Sequence, residues 1–346
     1  MKWGRWALTA LPLLVLLLTG CTGAGIGDKV AVKALYLEYD RQFEARLLVL
    51  ESAPSADAGQ ASEEARCLAG SGDTVYEALK NAEAQENRRL FYGQNELLFL
   101  GPELARQGAF EACRFLASYS NGRPNIAVYL LDAGGAGGSV AALEQLWQDG
   151  VGFLSGVEQL ESRGVYKTYL YQFGAQGGGG VIAALAAEQD TVTFSGLALY
   201  EQGLPVAFWQ GAKAQLARLL AGQTDTLELA LDEPQVRFEL RSPRLTFEPG
   251  FSGGGMELTV GLTGNIQRLV SPSGAAQPGQ DRQLEQTIDR QVCRLLEELA
   301  AETIGRKNDV FLLGSYLANL SEEAARSALE AGGEELVRFD CLLRMV

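Results

Sequence analysis

Histidine is absent from all 346 residues. Ser-His-Asp and Cys-His nucleophile systems are thereby excluded, together with every metal site that needs an imidazole. Carboxylate, lysine, tyrosine and Ser-Lys chemistry stay open. Cysteine is scarce and scattered: Cys21, Cys67, Cys113, Cys293 and Cys341 form no CxxC pair, so a zinc ribbon is excluded. An exported chain has room for one or two disulfides, but lone cysteines in settings as apolar as EACRFL and RQVCRLLEEL read as small core residues. Buried free thiols are therefore expected at Cys67, Cys113, Cys293 and Cys341. Positive charge is also short, 29 Lys and Arg against 43 Asp and Glu, for a formal net charge of −14. Such a field repels nucleic acid and anionic lipid, so no nucleic-acid partner and no polybasic membrane grip are expected. After the first twenty residues no apolar run approaches the length of a spanning helix.

The N-terminus supplies what the rest lacks. Lys2 and Arg5 open the chain, residues 7–18 are apolar, and Thr19 and Gly20 precede Cys21, which is the order of an export signal. The apolar run is about a dozen residues, short of the roughly 20 that a spanning helix requires. Leu18-Thr19-Gly20-Cys21 resembles the bacterial lipobox, which implies cleavage between Gly20 and Cys21 and a covalent diacylglycerol and acyl lipid on the Cys21 sulfur. An ordinary signal peptide that happens to be cut before a cysteine is the other reading. Two or three acyl chains anchor stably where one is marginal. Loss of Lys2 and Arg5 with the leader makes the mature chain more acidic still, so the lipid would have to hold it at the membrane.

Along the chain, residues 30–39 alternate like a strand and residues 43–51 answer them across the turn DRQ, a hairpin. APSADAGQASEEA reads as a polar loop running into a helical segment. GDTVYEALKNAEAQ then places Thr74 and Glu77 in capping-box spacing, with Val75, Ala78, Leu79 and Ala82 on one face. RRLFYGQNELLFLG is apolar enough to be a buried strand. Helices over 102–119, a strand at NIAVYLLDA and helices over 140–162 follow in layered α/β order. FGAQGGGG and VIAALAAEQ change the texture, and a junction is placed at 174–190. Beyond it come two strands around the turn EQG, a helix at 212–220, and strands near 227–231, 236–246 and 256–266, whose hairpin connections argue for an antiparallel sheet. Residues 281–304 form the most helical segment, with Leu284, Ile288, Val292, Leu295, Leu296 and Leu299 in a stripe that suits packing on that sheet. EELVRFDCLLRMV alternates as a last strand would.

The expected class is α+β and multi-domain, with mixed β-sheets and packed helices, the C-terminal half rich in antiparallel sheet and carrying one long amphipathic helix. Its division is a signal peptide at 1–20, a tether at 21–29, an N-terminal α/β region at 30–173, a linker at 174–190 and a C-terminal domain at 191–346.

Several motifs tempt. GGAGGSVAAL, residues 134–143, sits where a phosphate loop would, but lacks the lysine and the spacing. QGGGG has no basic neighbour. Glu63/Glu64, Glu297/Glu298 and Glu334/Glu335 are sequence neighbours that diverge on a helix and read as solvated faces. Gln94 and Asn95, between hydrophobic runs, read as amides satisfying backbone groups at a turn or strand end, and Asp309 as a cap or surface hydrogen bond. No catalytic, cofactor-binding or metal-ligating residue is assigned.

The order of segments resembles the GerAC-type spore germination lipoproteins, the C subunits of germinant receptors in spore-forming bacteria. The resemblance rests on Cys21, on DTVYEALKNAEAQENRRLFYGQNELLFLGPELARQG at 73–108, on FSGLALYEQGLPVAFW, and on the long helix leading into GRKNDVFLLGSYL at 305–317. The family usually has a histidine where Gln94 stands and a tryptophan-led opening after the lipid cysteine, so this chain departs from the pattern at both places. The resemblance implies a multi-domain α+β fold with mixed sheets. It also implies a non-enzymatic subunit, lipid-anchored on the outer face of the spore inner membrane, that works with multi-pass A and B subunits in nutrient-triggered germination. The alternatives are a substrate-binding lipoprotein of a membrane transporter, which needs two similar lobes, and a carboxylate hydrolase, which needs two converging acids.

Overall fold

A computed structural model of the chain describes residues 29–53, 62–119, 123, 125–132, 140–165, 167–188, 191–222, 226–232, 235–252, 255–271, 274–275, 282–304, 310–313, 316, 319 and 337–345. Gly20 and Cys21, the glycine run at 134–138, Asp309 and the Glu334/Glu335 pair lie outside the described residues.

The expected first hairpin is present: β1 (Lys29–Asp40) and β2 (Gln42–Ala53) pair antiparallel, and Arg41 makes the turn at φ 67°. The segment read as helical after the polar loop is instead β3 (Ser62–Gly72), paired antiparallel with β2 along its whole length. Its Leu68, Gly70 and Gly72 share the face that receives α1 (Val75–Glu83), and a Cβ on Gly70 would strike the α1 backbone at Ala78 and Ala82. Helix α1 starts as expected: Thr74 Oγ1 accepts from the Glu77 N–H at 3.1 Å, while the Glu77 carboxylate accepts from the Asp73 N–H, one residue earlier than a capping box would have it.

The stretch expected as one buried strand is two, β4 (Arg89–Phe91) and β5 (Leu97–Leu100), split by a 3₁₀ turn at Tyr92–Gln94. Helices α2 (Pro102–Gly108) and α3 (Phe110–Ser118) lead to β6 (Ala127–Leu131). Then come α4 (Val140–Gln148), α5 (Gly150–Ser162), the short β7 (Thr168–Tyr169) and α6 (Leu170–Ala175). The proposed linker does not exist as one. Gly180–Glu188 is β8, parallel to β6 and antiparallel to β9 (Thr191–Glu201) in the interior of the sheet. Gly177, Gly178 and Gly180, at φ 64°, 78° and 122°, make the tight turn into it. Strand β10 (Leu204–Trp209) closes the hairpin around EQG and forms one edge.

The first sheet thus runs β10-β9-β8-β6-β5-β1-β2-β3, with β4 beside β1 and β7 beside β6. Its centre, β8-β6-β5-β1, is parallel, and both flanks are antiparallel meanders. Parallel strands covered on both faces read as continuous apolar runs, which is why LLFL and AVYLL are buried at every position. Helices α1, α2, α3 and α6 cover one face, around Leu79, Leu104, Cys113 and Phe173. The other face packs on α4 and α5 and continues into the core of the second sheet.

That second sheet begins after α7 (Gly211–Leu220). Strands β11 (Thr226–Leu231), β12 (Val236–Ser252), β13 (Gly255–Ser271) and β14 (Gly274–Ala275) are antiparallel, as expected. The last strand, β15 (Val337–Met345), returns parallel to β13, so this sheet too is mixed. Helix α8 (Arg282–Ile304) buries Ile288, Val292, Leu296 and Leu299 on it, with Leu284 and Leu295 of the expected stripe only partly covered.

Contrary to the free-thiol expectation, Cys293 on α8 and Cys341 on β15 are disulfide-bonded, with Cα atoms 5.9 Å apart. The packing of the helix against the last strand creates that proximity, which falls within disulfide reach. Cys113 is buried and unbonded, and burial pushes its thiol up to about 12, the mark of an inert core cysteine. Cys67 is also unbonded, but it is exposed on β3 instead of buried.

Acidic side chains of α8 dress the free side of β15. Asp289 Oδ1 accepts from the Leu343 N–H at 2.9 Å, and the buried Glu285 accepts from the Met345 N–H at 2.8 Å. Burial raises the Asp289 carboxyl above its ordinary value. The Leu343 N–H and Arg344 pull it down, and Glu285 and Asp340 push it up. A raised carboxyl binds its proton more tightly folded than unfolded, so its contribution to stability falls as pH rises through the carboxylate range. Asn at this position still accepts from Leu343 without the buried charge. Asp289→Asn is therefore expected to gain stability relative to the parent between pH 3 and pH 6, as read by urea unfolding at both ends. A difference that shrinks with pH would contradict the assignment.

Candidate functional site

The apolar recess nearest a sheet edge lies outside the C-terminal end of β6, between α2 and the β9-β10 hairpin. Its volume is about 580 Å³, lined by Leu130, Ala184, Ala198, Tyr200, Val206 and Phe208, with Pro102 and Ala105 of α2 opposite. Crevices beyond the carboxyl ends of parallel strands are where open α/β sheets receive ligands. Two alanines on neighbouring strands make the hollow, since any larger side chain there would fill it. Tyr200 supports its floor: the ring is fully buried, meets Phe173 edge to face at 5.7 Å, and its hydroxyl donates to the Ala105 carbonyl at 3.1 Å. Burial raises the Tyr200 phenol well above its ordinary value, so it stays protonated and keeps donating.

The rim is apolar as well. Leu204 and Phe208 on β10 are 50% and 46% exposed. Strand β10 is a sheet edge, and Pro205 with the irregular register between Pro205 and Ala207 blunts it against open-ended strand addition. What the edge offers a partner is therefore side chains and not a backbone ladder. Charge enters the lining only at Arg106, which pairs with Glu103, and at Asp132. Among the described lining residues Asp132 has no second acid opposite it, so no hydrolytic pair is formed there. The arrangement suits an apolar segment of another molecule.

The residues singled out in sequence do not build this recess. Gln94 is exposed on the 3₁₀ turn. Asn95 is buried just after it, and although its N–H reaches the Tyr92 carbonyl at 2.9 Å, its side-chain Oδ1 has no hydrogen-bond partner among the described residues. The expected backbone-satisfying amide is not what this oxygen provides. Glu64 lies exposed on a strand, not on a helix face. Glu298 does sit on a solvated helix face, and it pairs with Lys213 and Arg294, both at 3.5 Å. The recess draws on positions from 102 to 208, and its sequence signal is the alanine-rich Gly180–Glu188, which falls within the expected junction at 174–190. Among the described residues no helix is long and apolar enough to cross a membrane, and no group of three potential metal ligands occurs.

Residues 32–137 match the family described as the spore germination protein N-terminal domain. A solved structure titled "Crystal Structure of the GerBC protein" shares the fold, with TM-score 0.51 at 12% identity over 90% of this chain and 96% of that one. No curated protein matches the chain. The α+β architecture with two mixed sheets is thus a fold this chain has in common with a known protein, and the matched residues include β6 and α2, which line one side of the recess.

Proposed function

We propose that this chain, GerAC-type by its N-terminal domain and by its fold, acts in spore germination as the C-type subunit of a germinant receptor. In this role it is a lipid-anchored, non-enzymatic protein on the outer face of the spore inner membrane, working with multi-pass A and B subunits. The observation that carries the reading is the match to the germination domain at 32–137 within a fold shared with GerBC over 90% of this chain. The recess beside β10, lined by Phe208 and continued along the same edge strand by the exposed Leu204, is the surface assigned to a membrane-embedded partner, because apolar exposure of this kind is otherwise a liability. Among the described residues the two sheets are dissimilar, one of ten strands and one of five, which weighs against the paired similar lobes of a transport lipoprotein.

Anchoring rests on Cys21. Each acyl methylene buried in a bilayer contributes about 0.8 kcal/mol, so two or more chains hold a protein that its own acidic surface would not. Full-length protein in its host is expected to take up labelled palmitate and to fractionate with membranes. Cys21→Ala should lose the label and most of the membrane-bound fraction. Label uptake that persists in the variant would contradict lipidation at this residue.

A further inference from the structure

A second recess, remote in composition from the first, opens where the N-terminal ends of β1 and β4 meet. It is about 450 Å³ and its polar lining is Lys29, Lys80, Glu83, Arg88, Arg89 and the hydroxyls of Tyr92 and Tyr119. Four cations around one hollow are conspicuous in a chain of net charge −14.

Two of the four are already engaged. Lys80 donates to Glu83 at 2.6 Å, and the other oxygen of Glu83 accepts from Tyr92 and Tyr119 at 2.9 and 3.2 Å, so both oxygens of that carboxylate are already engaged. Arg88 is held by Glu51 at 2.5 Å and by Glu86, which is shared with Arg66. Lys29 and Arg89 are different. They are Cα partners in the parallel register of β1 and β4, so their side chains leave neighbouring strands on the same face. Strand spacing puts their backbones about 4.8 Å apart, and like charges placed opposite each other are destabilising. Among the described residues neither has an ion-pair partner: the Lys29 ammonium lies over the Phe91 ring at 5.4 Å, and Arg89 is exposed. A like-charged pair at the mouth of a polar hollow is relieved by an anion that touches both.

We propose that this recess binds the phosphate group of an anionic ester, with the Arg89 guanidinium and the Lys29 ammonium as its two contacts. A guanidinium presents paired donors that match phosphate oxygens, and an ammonium adds a compact charge beside them. The Tyr92 and Tyr119 side chains wall the hollow, and the Glu83 carboxylate, occupied by three donors, does not compete for the cations. The acidic remainder of the protein does not forbid this, since charges beyond about 8 Å are largely screened at physiological salt. Lys29 stands eight residues after Cys21, so an anionic lipid headgroup is one source of the phosphate and a soluble phosphate ester is the other. Only the headgroup source depends on the anchored-subunit reading.

The test uses full-length protein in neutral detergent, titrated calorimetrically with sn-glycerol 3-phosphate. Saturable binding is expected, at least tenfold weaker in the Lys29→Ser/Arg89→Ser double variant and weaker as sodium chloride is raised. Glycerol phosphate should raise the melting temperature of the parent and not of the variant, by mass action. Without ligand the variant should melt no lower than the parent, because a repulsive pair has been removed, and that result shows the fold is kept. Protein in phosphatidylglycerol vesicles that no longer takes up glycerol phosphate, while protein in phosphatidylcholine vesicles still does, identifies the headgroup as the source. Uptake in both identifies a soluble ester. No saturable binding, or equal binding in the double variant, overturns the site and leaves the subunit reading standing on its own evidence.

Discussion

Cys293→Ser is expected to remove on the order of 4 kcal/mol from the stability of the second sheet and its helix. The bond closes a loop with a sequence separation of 48, and the chain-entropy relation for a loop of that size gives about 4 kcal/mol at 25 °C. Geometry adds to the loss. Cys341 is 7% exposed on β15, at the point where α8 crosses that strand, so a released thiol remains in a packed interface. The bond also ties in β15, which among the described strands is the one that joins this sheet in parallel. A parallel partner cannot be delivered by a tight hairpin, so β15 depends on its ladder with β13, on the Asp289 and Glu285 acceptors and on this covalent tie. Urea unfolding of the second sheet should shift to lower urea in Cys293→Ser, and reductant should shift the parent by the same amount while leaving the variant unmoved. A loss below about 1 kcal/mol would mean that the helix and strand are held by packing alone.

The second large effect concerns the partner surface. Phe208→Asp together with Leu204→Asp replaces one exposed wall residue of the recess and its exposed apolar neighbour on β10 with two carboxylates and leaves the buried floor intact. Large aromatic side chains at interface centres commonly contribute about 2 kcal/mol or more, so recovery of a membrane partner should weaken about 30-fold or further. Both positions are about half exposed in the chain alone, and the melting temperature should therefore stay near that of the parent. Undiminished recovery with both substitutions would place the partner elsewhere, while a parallel fall in melting temperature would assign the rim to the fold.

What was legible in the sequence was whatever rests on local physics. The first hairpin announced itself by alternation and by its turn, α1 by Thr74 and its apolar face, α8 by an apolar stripe from Leu284 to Leu299, about four turns long. The misreadings share a different cause. Ser62–Gly72 is rich in helix formers and became a strand because β2 needed a neighbour and because Gly70 and Gly72 let α1 come close. Gly180–Glu188, glycine-led and alanine-rich, looked like a junction, although small residues are what a central strand carries where a recess opens over it. The Cys293–Cys341 bond and the Lys29/Arg89 pairing depend on which elements become neighbours, and periodicity carries no such information. The recess beside β10 is the same case: its lining is dispersed over about a hundred residues, and only the sheet order assembles it.

The most direct test of the central claim is affinity recovery of the full-length protein from detergent-solubilised membranes of its native host, taken from spores and from growing cells. Spore-specific recovery of two multi-pass proteins, lost when Cys21 is replaced by alanine, is the result that the receptor-subunit account predicts. Recovery of a transport permease, or of no partner from spores, would contradict it.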